Sequence, residues 1–226
     1  MISASDLSYL GLCQVAFLLN KKAKIVTHAM MAGAKRHNKL FLLSDVITED
    51  QMLEKITNGE KFIAREIRVE HPKGGIRGRI DELEFLGHNH NKKNEAIIKD
   101  DKFSSSKFLG MNDAHRIQLA SYAFMIPEDQ KFRNLVEVAG AAIKFRSFDS
   151  ANSTEFKVGG KQLMSWVNEI PQLVVTANDI LANKLIPEPL SFSSIDASWL
   201  SVPRTGCASC KYNRICNVGR KMLSNQ

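Results

Sequence analysis

An α/β (α+β) domain, with helices flanking one central mixed sheet, is the fold class this sequence predicts. Three observations carry it. Apolar residues recur at helical spacing toward both ends of the chain, strand-like alternation fills much of the middle, and 226 residues with 44% hydrophobic content can bury one large core.

The elements follow in order. Ser3-Ala-Ser-Asp opens a helix by capping, ahead of Leu7, Leu10 and Phe17 on one face. A second helix is expected over about 26–43, and a third over about 49–57, closed by Asn58-Gly59. The period then changes. Residues 62–69 read as a strand, His71-Pro-Lys-Gly-Gly75 as a turn, and Ile76 to Phe85 as the hairpin partner. Gly87 to Asn94 is a polar loop, and Ala96 to Lys102 a third strand. After a loop over 104–112 come a helix over 113–125, a long strand over 135–148, and a short strand at 156–158 beside it. A long helix over 160–185 is broken or kinked by Pro171, and Pro187 and Pro189 end it. The tail from Leu190 to Gln226 has no regular pattern. The sheet thus has four or five strands.

Composition narrows the function. A net charge of +7 fits a partner rich in phosphate, or serves solubility alone. No apolar run is long enough to cross a bilayer, and the N-terminus lacks a basic segment followed by an apolar one. A cytoplasmic location without membrane contact is the expectation. In that compartment clustered cysteines favour metal or redox chemistry over disulfides.

The cysteines are unevenly placed. Cys13 stands alone near the start, whereas Cys207, Cys210 and Cys216 form C-x2-C-x5-C near the end. Acting as one site, they require the two chain ends to meet. Four thiolates suit zinc or an iron–sulfur cluster equally.

A second group of residues sits in the middle. Ile98, Asp100 and Lys102 share one face of the third strand, because side chains alternate. Asp81 lies on the preceding strand. If the strands pair, Asp81 and Asp100 converge as hard oxygen ligands for magnesium or manganese. Lys102 then orients or helps deprotonate water and stabilises charge developing on a phosphate. Taken singly, an Asp-x-Lys at a strand end is an ordinary surface ion pair, and His37 an ordinary helical histidine. Gln118 and Tyr122 are four apart and so share a helix face.

In order, His37, Asp81, Asp100-Asp101-Lys102 and Gln118-Leu-Ala-Ser-Tyr122 resemble the RecB-type branch of the PD-(D/E)xK nucleases. The cysteine bracket resembles that family's iron–sulfur version. The resemblance covers the whole chain and looks most like the CRISPR-associated Cas-four family of spacer-acquisition nucleases. It implies a restriction-endonuclease-like core in a single domain over 1–226. Segments 1–24 and about 190–226 would be joined by the cluster around a nuclease core at 25–189. It further implies that His37, Asp81, Asp100 and the Asp101 carbonyl bind manganese or magnesium. Lys102 would act on the attacking water, and Gln118 and Tyr122 would place DNA and the lysine. Cys13, Cys207, Cys210 and Cys216 would hold an iron–sulfur cluster, four-iron in preference to two-iron.

The implied activity is metal-dependent cleavage of single-stranded DNA or single-stranded ends, with the CRISPR integrase proteins as partners. The competing expectations are a zinc-binding nucleic-acid module and a catalytically silent adaptor of an integrase complex. Two positions depart from the family pattern. Gln14 stands where proline often follows the first cysteine. Asp101 stands where an apolar residue is usual, so it pairs with a lysine, faces solvent, or is itself the ligand. Arg77 and Arg79 share one strand face. They, Lys99, Lys107 and Arg116 are candidate phosphate contacts, and Phe103 and Phe108 either stack on a base or belong to the core.

Overall fold

The chain begins by adding a strand to the sheet it builds later. In the computed structural model, which describes residues 1–22, 25–26, 30–36, 47–104, 110–147, 153–188, 211–212 and 216, Ile2–Ser3 (β1) runs parallel to Ile76 and Arg77. Ser3 then caps helix α1, Ala4–Leu12. Its hydroxyl accepts from the Asp6 amide, and the Asp6 carboxylate accepts from the Ser3 amide. The single helix expected to continue through Phe17 is instead broken at Cys13. That residue is extended at φ −168 and ψ 124, and α2, Gln14–Lys22, starts beyond it.

Residues 30–36 are helical (α3). Val26 is not, and the remainder of the helix expected there, 27–29 and 37–43, lies outside the described residues. Helix α4, Glu49–Thr57, has its own capping box from Thr48 and Gln51, and it ends at Asn58-Gly59, with Gly59 at φ +69.

Strands β2 (Lys61–His71), β3 (Ile76–His88) and β4 (Asn94–Ser104) form an antiparallel meander. Helix α5, Asp113–Met125, and a 3-10 turn at Ile126–Glu128 cross over to β5, Val136–Ser147, which runs parallel to β4. Strand β6, Ser153–Gly159, closes the far edge antiparallel to β5. Among the described residues the sheet therefore has six strands, the additional one being β1. The long helix expected over 160–185 is two, α6 (Gly160–Val167) and α7 (Ile170–Leu181). Pro171 sits in the first turn of α7, where its missing N–H costs nothing.

The β2–β3 hairpin hides an irregularity that matters for the site. Ala64 and Val69 are both buried, as are Ile80 and Leu83. Their separations are odd, and a regular strand would send each pair to opposite faces. Yet all four join one core. The register meanwhile does not shift from Arg65↔Glu82 to Ile67↔Ile80, although Glu66 and Asp81 between them are not paired. Both strands therefore reverse their pleat at the same level, where Glu66 takes a left-handed φ of 56 opposite Asp81. The reversal keeps apolar side chains inward on both sides of the break.

Helix α5 lies against the inner face at unusually short range. A Cβ on Gly78 would stand 2.6 Å from Tyr122 Cε1 and 2.8 Å from Met125 Cε. On its other side, Gly11 of α1 leaves room for the Ile117 side chain. Gly78→Ala is expected to destabilise the protein by about 1–3 kcal/mol through overpacking. At roughly 2–4 °C per kcal/mol for a chain of this size, a thermal melt resolves the loss. An unchanged melting temperature would show that α5 can retreat freely.

Candidate active site

Strand β3 is paired along one edge by β2, but only in parts along the other. There β4 bonds it from His88 back to Glu82, and β1 takes Ile76 and Arg77. Residues 78–81 lie between those two partners, and from Asp100 onward β4 pairs with β5 alone. The result is a fork in the sheet. Asp81 sits at its apex, where Oδ2 accepts the Asp101 amide at 2.8 Å. An extended residue presents its N–H and C=O along the same edge, so the Asp101 carbonyl faces the fork as well.

The inner face of β4 adds the next two groups. Asp100 is 1% exposed, and its Oδ2 lies 2.6 Å from Lys102 Nζ. Gln118 ties this pair to α5: its Nε2 donates to Asp100 Oδ1 at 3.0 Å, and its Oε1 accepts from Lys102 Nζ at 3.0 Å. The same amide nitrogen donates to the Tyr122 hydroxyl at 2.9 Å, and the Tyr122 hydroxyl donates to the Arg79 carbonyl at 2.8 Å. Asp81, Asp100, Lys102, Gln118 and Tyr122 are thus brought together at one place. His37 lies outside the described residues.

Charge at the fork is unbalanced. Burial, and then the neighbouring Asp100 carboxylate, push the Asp81 carboxyl up to about 8. Asp100 Oδ2 is buried and its partner is the Lys102 ammonium, 2.6 Å away. Burial works against the charged form of Lys102, but Asp100 and Asp81 outweigh it and hold the ammonium above the usual lysine range. Lys102 is therefore a fixed cation and donor rather than a base. Tyr122 is likewise kept protonated, chiefly by burial. His115, also on α5, is pushed down to about 4 by burial and then by Lys102, so it is neutral near pH 7.

These features suit a divalent cation. Two carboxylates share one ammonium, and the one that resists ionisation marks a deficit of positive charge. Among the described residues no three His, Cys, Asp or Glu side chains group as a metal site. Two carboxylates and one backbone carbonyl are the donors that face the fork.

The Asp101 side chain points away from this chemistry. It accepts from Arg146 of β5 at 2.8 Å through Nε and at 3.3 Å through Nη2, a bidentate pair. Of the alternatives left open for Asp101, a cationic partner is present, and it is Arg146. Two candidate phosphate contacts prove to be engaged elsewhere. Lys99 is held by Glu84 at 2.8 Å and Glu82 at 3.4 Å, and Arg116 by Glu169 at 2.6 Å and Asp113 at 3.1 Å. Phe103 is half-buried; Lys107 and Phe108 lie outside the described residues. Sequence reasoning missed Glu66 and Arg146. The shift from Phe62 and Ala64 to Ile67 and Val69 in apolar phase was the available signal for Glu66.

The chain ends do approach one another. Tyr212 is buried, its ring packs edge-on to Tyr9 of α1 at 6.3 Å, and its hydroxyl donates to Asn20 of α2 at 2.7 Å. Lys211 Nζ donates to the same Asn20 oxygen at 3.1 Å and lies 4.5 Å from the Tyr9 ring centroid. Each of the two described cysteines follows one of these rings by a single turn. The Cys13 amide donates to the Tyr9 carbonyl and the Cys216 amide to the Tyr212 carbonyl, both at 2.9 Å. Cys207 and Cys210 lie outside the described residues.

Comparison with known proteins bears on this geometry. A model of the PD-(D/E)XK nuclease superfamily matches residues 22–217. Among solved structures, the chain is similar to the protein SSO0001 at 16% identity and a TM-score of 0.49, over 96% of this chain and 85% of that one. It is similar to a candidate exonuclease from Eubacterium rectale at 12% identity and a TM-score of 0.48, over 90% of each chain. An alkaline exonuclease from Laribacter hongkongensis matches at 8% identity and a TM-score of 0.40, over 81% of this chain and 94% of that one. No curated protein matches.

Proposed function

Because the chain belongs to the PD-(D/E)XK nuclease superfamily, we propose that it is a divalent-metal-dependent deoxyribonuclease acting as an exonuclease on single-stranded DNA. The observation that carries this reading is the fork, where the Asp81 and Asp100 carboxylates converge beside the one Lys102 ammonium. Asp81, Asp100 and the Asp101 carbonyl would hold manganese or magnesium, with His37 as a further ligand. When bound, the ion supplies a Lewis acid for the scissile phosphate and lowers the pKa of water.

The protein's own groups do the rest. Lys102 stays protonated and offers N–H donors toward negative charge developing on the phosphate. Gln118 fixes the Lys102 and Asp100 side chains relative to each other, and Tyr122 anchors Gln118 to the β3 backbone. The Arg146–Asp101 pair holds β4 against β5, and so keeps the Asp101 amide aimed at Asp81.

The finer reading includes an iron–sulfur cluster on Cys13, Cys207, Cys210 and Cys216, joining the chain ends. Contact of Tyr9 with Tyr212, one turn before Cys13 and Cys216, supports it. DNA-end processing for CRISPR spacer acquisition, beside integrase proteins in the cytoplasm, is the role consistent with the family resemblance.

Manganese-dependent digestion of a single-stranded oligonucleotide tests the enzyme. Lys102→Ala is expected to slow it roughly 10²–10³-fold, the loss typical of one preorganised donor. A wild type that never cuts, or a Lys102→Ala variant that cuts at the wild-type rate, would overturn the proposal.

A further inference from the structure

The cations around the fork fall into two classes. Arg65, Lys99, Arg116 and Arg146 are each held by a carboxylate at 2.6 to 2.8 Å. Arg68 and Arg79 are set apart by exposure, although Arg79 also has a carboxylate partner in Glu66. They stand directly opposite in the β2–β3 ladder, so both side chains leave from one face, and both are exposed. The opposite face, at Gly78, is the one α5 covers.

Arg68 has no acidic partner among the described residues. Arg79 is 64% exposed and is held by Glu66 at 2.9 Å, beside the apex of the fork. Lys131 stands at the outer edge of β2: its side chain is 23% exposed, its Nζ donates to the Arg68 carbonyl at 2.6 Å, and the Glu49 carboxylate is 4.0 Å away. Arg77 shares the face but stands opposite Glu70, which offsets its charge.

Like charges directly across a ladder destabilise a sheet. Here the pair stands next to the fork, and Glu66 steadies one member of it from a left-handed backbone conformation uncommon outside glycine. A polyanion laid across the strands would offset the repulsion. The three cations lie from β3 at the fork, over β2, to its outer edge.

We propose that Arg79, Arg68 and Lys131 bind successive phosphates of the strand whose reacting bond lies in the fork; the assignment rests on the nuclease reading. The contacts are to the backbone, so they add affinity without base preference. Glu66 is a positioning residue that aims Arg79.

Binding of a labelled single-stranded oligonucleotide to the full chain, without added divalent ion and over a series of salt concentrations, tests this by fluorescence anisotropy. Each phosphate contact on a single strand adds about 0.7 to the slope of log K against log salt. Arg68→Gln, Arg79→Gln and Lys131→Gln should each lower the slope by about 0.7 and weaken binding about fivefold at 0.1 M salt. Arg68→Lys should restore the slope.

Lys157→Gln, an exposed lysine on β6 at the far edge of the sheet, should change neither quantity. Unchanged slopes in Arg68→Gln and Arg79→Gln, or an equal effect from Lys157→Gln, would overturn the assignment. A wild type that binds with these slopes but never cuts with manganese would sink the nuclease reading and leave the phosphate row standing.

Discussion

Asp81→Asn should inactivate the protein and at the same time stabilise its metal-free form at pH 8. Losing a carboxylate proposed to hold the ion should cost on the order of 10⁴ in rate, equivalent to about 5.4 kcal/mol. The stability gain follows from the raised pKa. From the ordinary value of 3.8 up to about 8, the folded protein holds a proton on Asp81 that the unfolded chain releases. Stability contributed by that proton is complete below pH 3.8 and is lost as pH climbs toward 8. Asparagine has no charge to bury, and its amide oxygen can still accept the Asp101 N–H. Metal-free melts from pH 5 to 8 should fall with pH for wild type and much less for Asp81→Asn, leaving the variant several degrees higher at pH 8. At that pH manganese should raise the wild-type melting temperature and leave the variant unmoved. Below pH 8 the ion must displace the proton, so its affinity should drop up to about tenfold per pH unit. A variant less stable than wild type at pH 8 would mean that Asp81 is ionised and already satisfied.

Cys216→Ala should remove iron and lower the melting temperature by roughly 10–20 °C. If Cys13 and the C-terminal cysteines share the proposed cluster, that cross-link closes nearly the whole chain. For a loop of that length the entropy lost by the unfolded state is worth about 5 kcal/mol, at about 2–4 °C per kcal/mol. The contacts among Tyr9, Asn20, Lys211 and Tyr212 would remain, though too few to replace a cluster that restrains both ends. Protein prepared without oxygen should contain iron and sulfide as wild type and neither as Cys216→Ala. Stoichiometric zinc without iron in the wild type would replace the cluster with a zinc site. An unchanged melting temperature in the variant would remove the clasp altogether.

The order of helices and strands was legible because each element carries its own periodicity and its own terminators. The Asn58-Gly59 stop, the His71 to Gly75 turn and the 113–125 helix coincide with what the structure has. The placement of Ile98, Asp100 and Lys102 on one face was legible for the same reason, since alternation is local. Other features were not legible. The break at Cys13 has no glycine or proline beside it to announce it; a continuous apolar stripe hides it. Strand β1 is two residues long and exists only because β3 has a free edge there. Arg146 gives Asp101 its partner from a strand 45 residues away, and no local signal carries that pairing.

The sequence by itself determined the chemistry available: two carboxylates and a lysine on adjoining strands, Gln118 and Tyr122 one turn apart, and cysteines at both ends. Residue type and short-range period are properties of the chain and need no partner to be read. Only the tertiary structure decided how those groups meet. The paired pleat reversal at Glu66 and Asp81, together with the fork between β3 and β4, turns Asp81 toward the Asp101 amide and beside Asp100. Gly78 lets α5 come close enough for Gln118 to join Asp100 to Lys102. Those are consequences of packing between distant segments, where steric fit and the shared burial of charge set the geometry.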